Sequence, residues 1–232
     1  MNREFVKFYF YKQIIADILR AIEGGALSGS FTLAFCCIDY LGLAMEQHSK
    51  DKNFYEYLKC YLARLNKDYN LRKEIIYAAR CSFVHVFGPS KFESQLYKND
   101  YDKPVKIQFM YRSDDIMKTP HLNFNIIDNS YVFYIVLEDL VNDLISSTID
   151  FFDEIPDKDL NKWKDKLFVF SQNHISEKET EYMLKWGKYS NIHSCFEVID
   201  QYGFDSVTLR RWLIYDVKKL VKKGLNIKRN PG

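Results

Sequence analysis

From Leu27 to Glu46 the chain sets Leu33, Ala34, Cys36, Cys37, Ile38, Leu41, Leu43 and Ala44 in a segment with almost no polar interruption. Wound as a helix, these side chains point in every direction, so the segment needs cover on all sides. Other helices supply that cover most simply, which places residues 27–46 at the centre of a bundle. Ser28 or Ser30 is expected to cap the start of this helix. Its only acids are Asp39 and Glu46. A carboxylate is costly to bury alone, so Asp39 either pairs with a cation, for which Arg80 is the natural candidate, or reaches solvent at an edge of the bundle.

The flanking segments have the pattern of bundle partners. Residues 2–23 carry Phe5, Phe8, Tyr9, Ile15, Ile18, Leu19 and Ile22 at helical spacing, and Gly24-Gly25 is the stop. Phe54, Tyr57, Leu58, Tyr61, Leu62 and Leu65 repeat that spacing over 52–66. A fourth helix over 70–87 is mostly apolar and ends at Gly88-Pro89. The period then changes to two. Residues 104–111 and 122–126 alternate as half-buried strands do, Asp128-Asn129 signals a turn, and 131–136 reads as a further strand. This predicts a small hairpin or meander inserted near 104–136. Leu140, Val141, Leu144, Ile145, Thr148, Ile149 and Phe152 restore the helical period and close the bundle. Pro156 marks a joint, beyond which helical patterns run over 157–170, 176–187, 192–201 and 206–223. The expected fold is mainly α: a helical bundle with a β insertion over 1–154, then a helical C-terminal appendage over 155–232.

Composition narrows the function classes. With 47% hydrophobic residues among 232, the chain can bury a sizeable core. A net charge of +2 excludes polyanion binding by bulk charge. Positive charge gathers in the C-terminal segment at Lys218, Lys219, Lys222, Lys223, Lys228 and Arg229. That cluster reads as a solvated helix face near a helix C-terminus, with phosphate or membrane-surface binding as the alternative. Cys36, Cys37, Cys60, Cys81 and Cys195 show no CxxC or zinc-like spacing, and are expected to be buried, reduced thiols of a cytoplasmic protein. No signal peptide is visible, and the apolar run Phe31–Leu43 is too short to span a bilayer, so no membrane role is expected. His121, His174 and His193 lack a partner at metal-ligand spacing, so no metal is expected. No phosphate-binding glycine loop or nucleophile elbow occurs, and no cofactor is expected.

One constellation carries chemistry. The fourth helix holds Arg80-Cys-Ser-Phe-Val-His85 near its end. An arginine, four to six residues and a histidine, late in a helix of a compact bundle, resembles the signature of the HEPN superfamily of helical, RNA-related domains. Ile38-Asp-Tyr-Leu-Gly42 also looks like the segment that precedes the signature in some members. The resemblance covers roughly residues 1–154. It implies a metal-independent endoribonuclease with Arg80 and His85 as catalytic residues, as in toxin or antiviral defence systems, with an antitoxin or other protein as a possible partner. Asp39 would orient Arg80. Many members have Asn, Asp or His directly after the arginine. This chain has Cys81, with Ser82 as a polar substitute.

The chemistry fits these residue types. Cutting RNA without a metal requires the ribose 2′-hydroxyl to attack the adjacent phosphate. A group of near-neutral pKa must move protons, which suits His85. A fixed cation must stabilise the developing charge, and a guanidinium matches phosphate geometry. Residues five apart on an ideal helix point about 140° apart, so the two side chains meet through arginine's reach, helix distortion or a second subunit. The resemblance implies the last: a homodimer whose two helices face each other across a two-fold axis. The alternative is a non-catalytic HEPN-like module that binds nucleotide, RNA or a protein partner.

Overall fold

The computed structural model describes residues 10–45, 50–86, 102–111, 120–157 and 217–223, together with Arg3, Lys7, Asp159 and Leu160. The described residues are mainly helical, with one small sheet among them. A π-helical turn, Tyr11–Ile15, leads into α1 (Ala16–Glu23). Gly25, at φ 79°, makes the left-handed turn that ends α1. Helix α2 (Leu27–Gly42) follows and closes in a 3-10 turn, Leu43–Met45. Next come α3 (Lys50–Tyr57), a second π-helical turn (Leu58–Leu62) and the short helical segment Ala63–Leu65. Helices α4 (Asp68–Leu71) and α5 (Lys73–Val86) complete this half.

Helix α2 is the centre of the bundle, packed against α1, α3, α5 and, later in the chain, α6 (Leu137–Glu154). Phe31, Ala34, Phe35, Cys37, Ile38 and Leu41 are all buried along it. At its end the backbones of α2 and α3 come close: a Cβ on Gly42 would lie 2.6 Å from the Asn53 carbonyl oxygen. Only glycine fits there without a backbone shift. The expected serine cap is not used. Ala26 holds the N-cap position, and the Ser30 hydroxyl donates back to the Ala26 carbonyl instead. With its 3-10 turn the helix runs from Leu27 to Met45, long and apolar enough to cross a membrane by length and composition. The apolar run Phe31–Leu43 is shorter than the helix that contains it, and half of that helix's apolar window is buried inside the bundle.

The sheet contains β1 (Val105–Met110), β2 (Phe124–Ile127) and β3 (Ser130–Val136) in the order β1-β3-β2. The expected hairpin is β2–β3, antiparallel, turning at Asp128 and Asn129 with φ 48° and 59°. Two positive φ values match the turn to the twist of the strands. Strand β1 joins β3 in parallel, with Val105 opposite Tyr131 and Met110 opposite Val136, so the sheet is not a meander. Phe109 docks the sheet on the helices: its ring lies 4.2 Å from that of Phe83 on α5 and 5.1 Å from that of Phe31 on α2.

Strand β3 runs directly into α6, which closes the bundle. Two buried hydroxyl pairs tie the earlier helices to it. Ser147 gives its proton to the Leu144 carbonyl, so Tyr57 donates to Ser147 at 2.9 Å. Thr148 likewise bonds Ile145, and Tyr11 donates to Thr148 at 2.8 Å. The C-terminus of α6 is capped from the far end of the chain. The Arg3 guanidinium donates to the carbonyls of Phe152, Asp153 and Ile155 at 2.7–2.9 Å, satisfying groups the helix leaves open.

Of residues 161–232, only 217–223 are described. They are helical. Val217, Leu220 and Val221 belong to the same hydrophobic core as the bundle, and Lys223 pairs with Glu23 of α1 at 2.7 Å. Lys218, Lys219 and Lys222 lie outside, the solvated-face reading of this basic segment. The helical patterns expected between 161 and 216, together with Lys228, Arg229, His174, His193 and Cys195, lie outside the described residues.

Candidate active site

Helix α5 packs against α2, and this brings Arg80 to Asp39. The Arg80 Nε donates to Asp39 Oδ2 at 2.5 Å, and Nη2 pairs with the same oxygen. Of the two possibilities left open for Asp39, the ion pair is the one adopted. The pair sits at the margin of the core: 15% of the Arg80 side-chain surface and 22% of the Asp39 side-chain surface remain exposed. Burial pulls the guanidinium pKa down, but the hydrogen bond and charge of Asp39 outweigh it, so Arg80 is held above its ordinary value. The cation is permanent.

Two other features hold the guanidinium in place. Its Nη1 lies 3.8 Å from Cys81 Sγ, and its Cζ lies 5.8 Å from the centroid of the Tyr77 ring. The residue that departs from the HEPN pattern therefore touches the arginine through sulfur, a weak acceptor. Ser82 does not take over that role. It is 1% exposed and donates its hydroxyl to the Ala78 carbonyl one turn back. His85 lies in the last turn of α5, and its side chain is outside the described residues.

The cysteines depart from expectation. Cys37 and Cys81 are buried, but Cys36 is exposed and Cys60 half-buried. Cys36 lies one turn before Asp39. Partial cover of its thiol and the Asp39 charge raise its pKa more than Arg80 lowers it. It is therefore not an activated nucleophile.

A second polar cluster was not foreseen. Val136 N–H donates to His121 Nδ1 at 3.0 Å, so that nitrogen carries no proton and the neutral ring bears its hydrogen on Nε2. The Nε2–H faces Tyr69 Oη at 2.9 Å, and Tyr69 donates to Asp143 Oδ2 at 3.0 Å. The chain of donors runs one way, His121 to Tyr69 to Asp143, and joins the approach to β2, helix α4 and helix α6. Burial pushes the Asp143 pKa up to about 6. Tyr69 opposes this and the Asp139 charge adds to it. Tyr69 is fully buried and His121 is 8% exposed, so no substrate reaches the centre of this cluster. It is an internal brace. The three residues lie 52 and 74 positions from one another's partners, and no local pattern marks them. Among the described residues, no group of three His, Cys, Asp or Glu side chains is placed to hold a metal ion.

No family model matches the chain, and neither a curated protein nor a solved structure does.

Proposed function

We propose that this chain is a metal-independent endoribonuclease of the HEPN type, acting at Arg80 and His85. One observation carries the reading: the arginine of the Arg-x4-His helix is fixed by Asp39 at the edge of a helical bundle, with part of its surface still open. A guanidinium held in one orientation is what a phosphate-stabilising cation needs, because no reorganisation is required as charge develops. In this mechanism the 2′-oxygen attacks phosphorus and the bond to the 5′-oxygen breaks. His85 accepts the 2′-hydroxyl proton, and a second His85, from a two-fold related copy, protonates the leaving 5′-oxygen. The products are a 2′,3′-cyclic phosphate and a 5′-hydroxyl. Arg80 stabilises the equatorial oxygens and Asp39 positions Arg80. This reading makes a homodimer the active form, with RNA as substrate and a role in a toxin or defence system.

A second reading has its own support. Arg80 already has a carboxylate partner, and its neighbour is a buried cysteine rather than a polar residue. Both features suit a non-catalytic module in which the pair is structural. The deciding experiment incubates mixed single-stranded RNA with the protein in EDTA, and compares wild type with folded Arg80→Ala and His85→Ala. Cutting that leaves 2′,3′-cyclic ends and is lost in both variants supports the nuclease. No cutting by wild type, with Arg80→Ala lowering stability, selects the structural module.

A further inference from the structure

Helix α5 carries more than the Arg80 pair. Lys73, Tyr77 and Arg80 fall at i, i+4 and i+7, one face of the helix. Tyr55 of α3 inserts its ring into the same row. The Lys73 Nζ lies 5.7 Å from the centroid of the Tyr55 ring, Tyr55 meets Tyr77 at 5.4 Å with the rings at 65°, and Arg80 Cζ lies 5.8 Å from Tyr77. The order along the surface is cation, aromatic, aromatic, cation. Beneath it Phe54, fully buried, braces Tyr77 at 5.5 Å. Both tyrosines are half-buried, so part of each side chain reaches solvent.

A packing role alone would not require this order. Both rings pack on the hydrophobic core from beneath, and each outer end of the pair is closed by a cation. The acids in the row are informative. Glu74 lies 3.9 Å from Lys73, Asp39 holds Arg80, and Asp51 acts on both tyrosines. Each cation thus has an acid beside it, closely for Arg80 and loosely for Lys73, so the row does not hold a polyanion by charge alone. Rings that stay neutral can still hold bases: burial, then nearby acids, push the Tyr55 phenol up to about 12, and burial raises Tyr77 as well. From Lys73 to Arg80 the helix rises about 10 Å, roughly three stacked nucleotides at ~3.4 Å each.

We infer that Tyr55 and Tyr77 form a base-stacking platform for single-stranded RNA, which leads the strand along α5 to Arg80. This rests on the RNA-directed reading above and names its substrate-positioning residues. Stacking is tolerant of sequence and needs unpaired bases, so the platform selects single strands over duplex. Because the cations are countered, affinity should change little with salt compared with a phosphate-tracking groove.

The test uses a fluorescein-labelled single-stranded 2′-O-methyl oligoribonucleotide of mixed sequence, which lacks the attacking hydroxyl and so cannot be cut. Its affinity is measured by anisotropy for wild type, Tyr55→Leu, Tyr77→Leu and the corresponding Phe variants, each checked by thermal melting. Loss of one stacked base is expected to weaken binding roughly 5- to 100-fold. Phe should restore it, and an abasic oligonucleotide of equal length should bind poorly. A 5-iodouridine version, irradiated in complex with the wild-type protein, should crosslink to Tyr55 or Tyr77, a readout independent of variant folding. Equal affinity for the abasic strand, unchanged affinity in folded Leu variants, or crosslinks only elsewhere would overturn the platform. The two proposals fail separately. Stacking-dependent binding without cleavage of unmodified RNA sinks the nuclease and keeps the platform. Arg80-dependent cleavage by an enzyme whose Tyr variants bind normally does the reverse.

Discussion

Asp143 should make this protein more stable as the solution is acidified from neutrality. Its pKa is raised from an ordinary 3.8 to about 6, chiefly by burial. A raised carboxyl pKa means that the ionised form is disfavoured in the fold relative to the unfolded chain. The penalty is fully present above about pH 6, fades as pH falls through that value, and is gone below the unfolded pKa. The gap of about two pH units corresponds to about 3 kcal/mol, which partial exposure trims to about 2 kcal/mol. Asp143→Asn removes the ionisation while keeping an oxygen that can accept from Tyr69. At pH 7.5 the variant should be more stable than wild type by about 2 kcal/mol, or roughly 4–8 °C in Tm for a chain of this size. At pH 4.5 the difference should fall to roughly a third of that, because the unfolded carboxyl is then still mostly ionised. The difference between the two proteins is the quantity to follow, because every other ionisable group is common to both. Acid also affects His121 in both, since a proton on Nδ1 would compete with the Val136 N–H. Thermal melts by circular dichroism over pH 4.5–8 measure the effect. A wild-type curve parallel to that of the variant, or a variant less stable at pH 7.5, would refute the reasoning and show the Tyr69 bond to outweigh burial.

Three further outcomes follow from the packing. Asp39→Ala leaves a mostly buried guanidinium without its carboxylate and should cost about 2–3 kcal/mol. Adding Arg80→Met should recover part of that loss, and urea titrations giving strictly additive changes would show that the two side chains are not coupled. Gly42→Ala places a methyl 2.6 Å from the Asn53 carbonyl oxygen and should destabilise by about 1–2 kcal/mol despite alanine's better helix propensity; an unchanged Tm would mean that α2 and α3 separate easily. Val221→Ala should cost roughly 2 kcal/mol whereas Lys222→Ala stays within about 0.5 kcal/mol, because one side chain is in the core and the other in solvent. Equal effects in denaturation would deny that 217–223 is part of the core.

What the sequence determined by itself was local. Hydrophobic period alone placed α2, α3, α5, α6 and the three strands, because the period of buried side chains follows directly from backbone geometry. The Asp128-Asn129 turn was legible because few residues accept two positive φ angles. The partner of Asp39 was legible too, as one of two choices, since a lone acid in an apolar helix has few ways to avoid its desolvation cost. Tertiary structure decided everything that depends on which surfaces meet. A period of two says which side of β1 is buried but not which strand it joins, so the parallel pairing with β3 was hidden. Cys36 is exposed because four helices do not cover every direction around α2, and no count of apolar residues shows where the gap lies. Ser30 lost the capping position because the helix began one turn earlier than its side chain could serve. The Arg3 cap on α6 and the His121–Tyr69–Asp143 brace join residues far apart in the chain. Hydrogen bonds of that kind require only proximity in space, and spacing along a sequence carries no record of it.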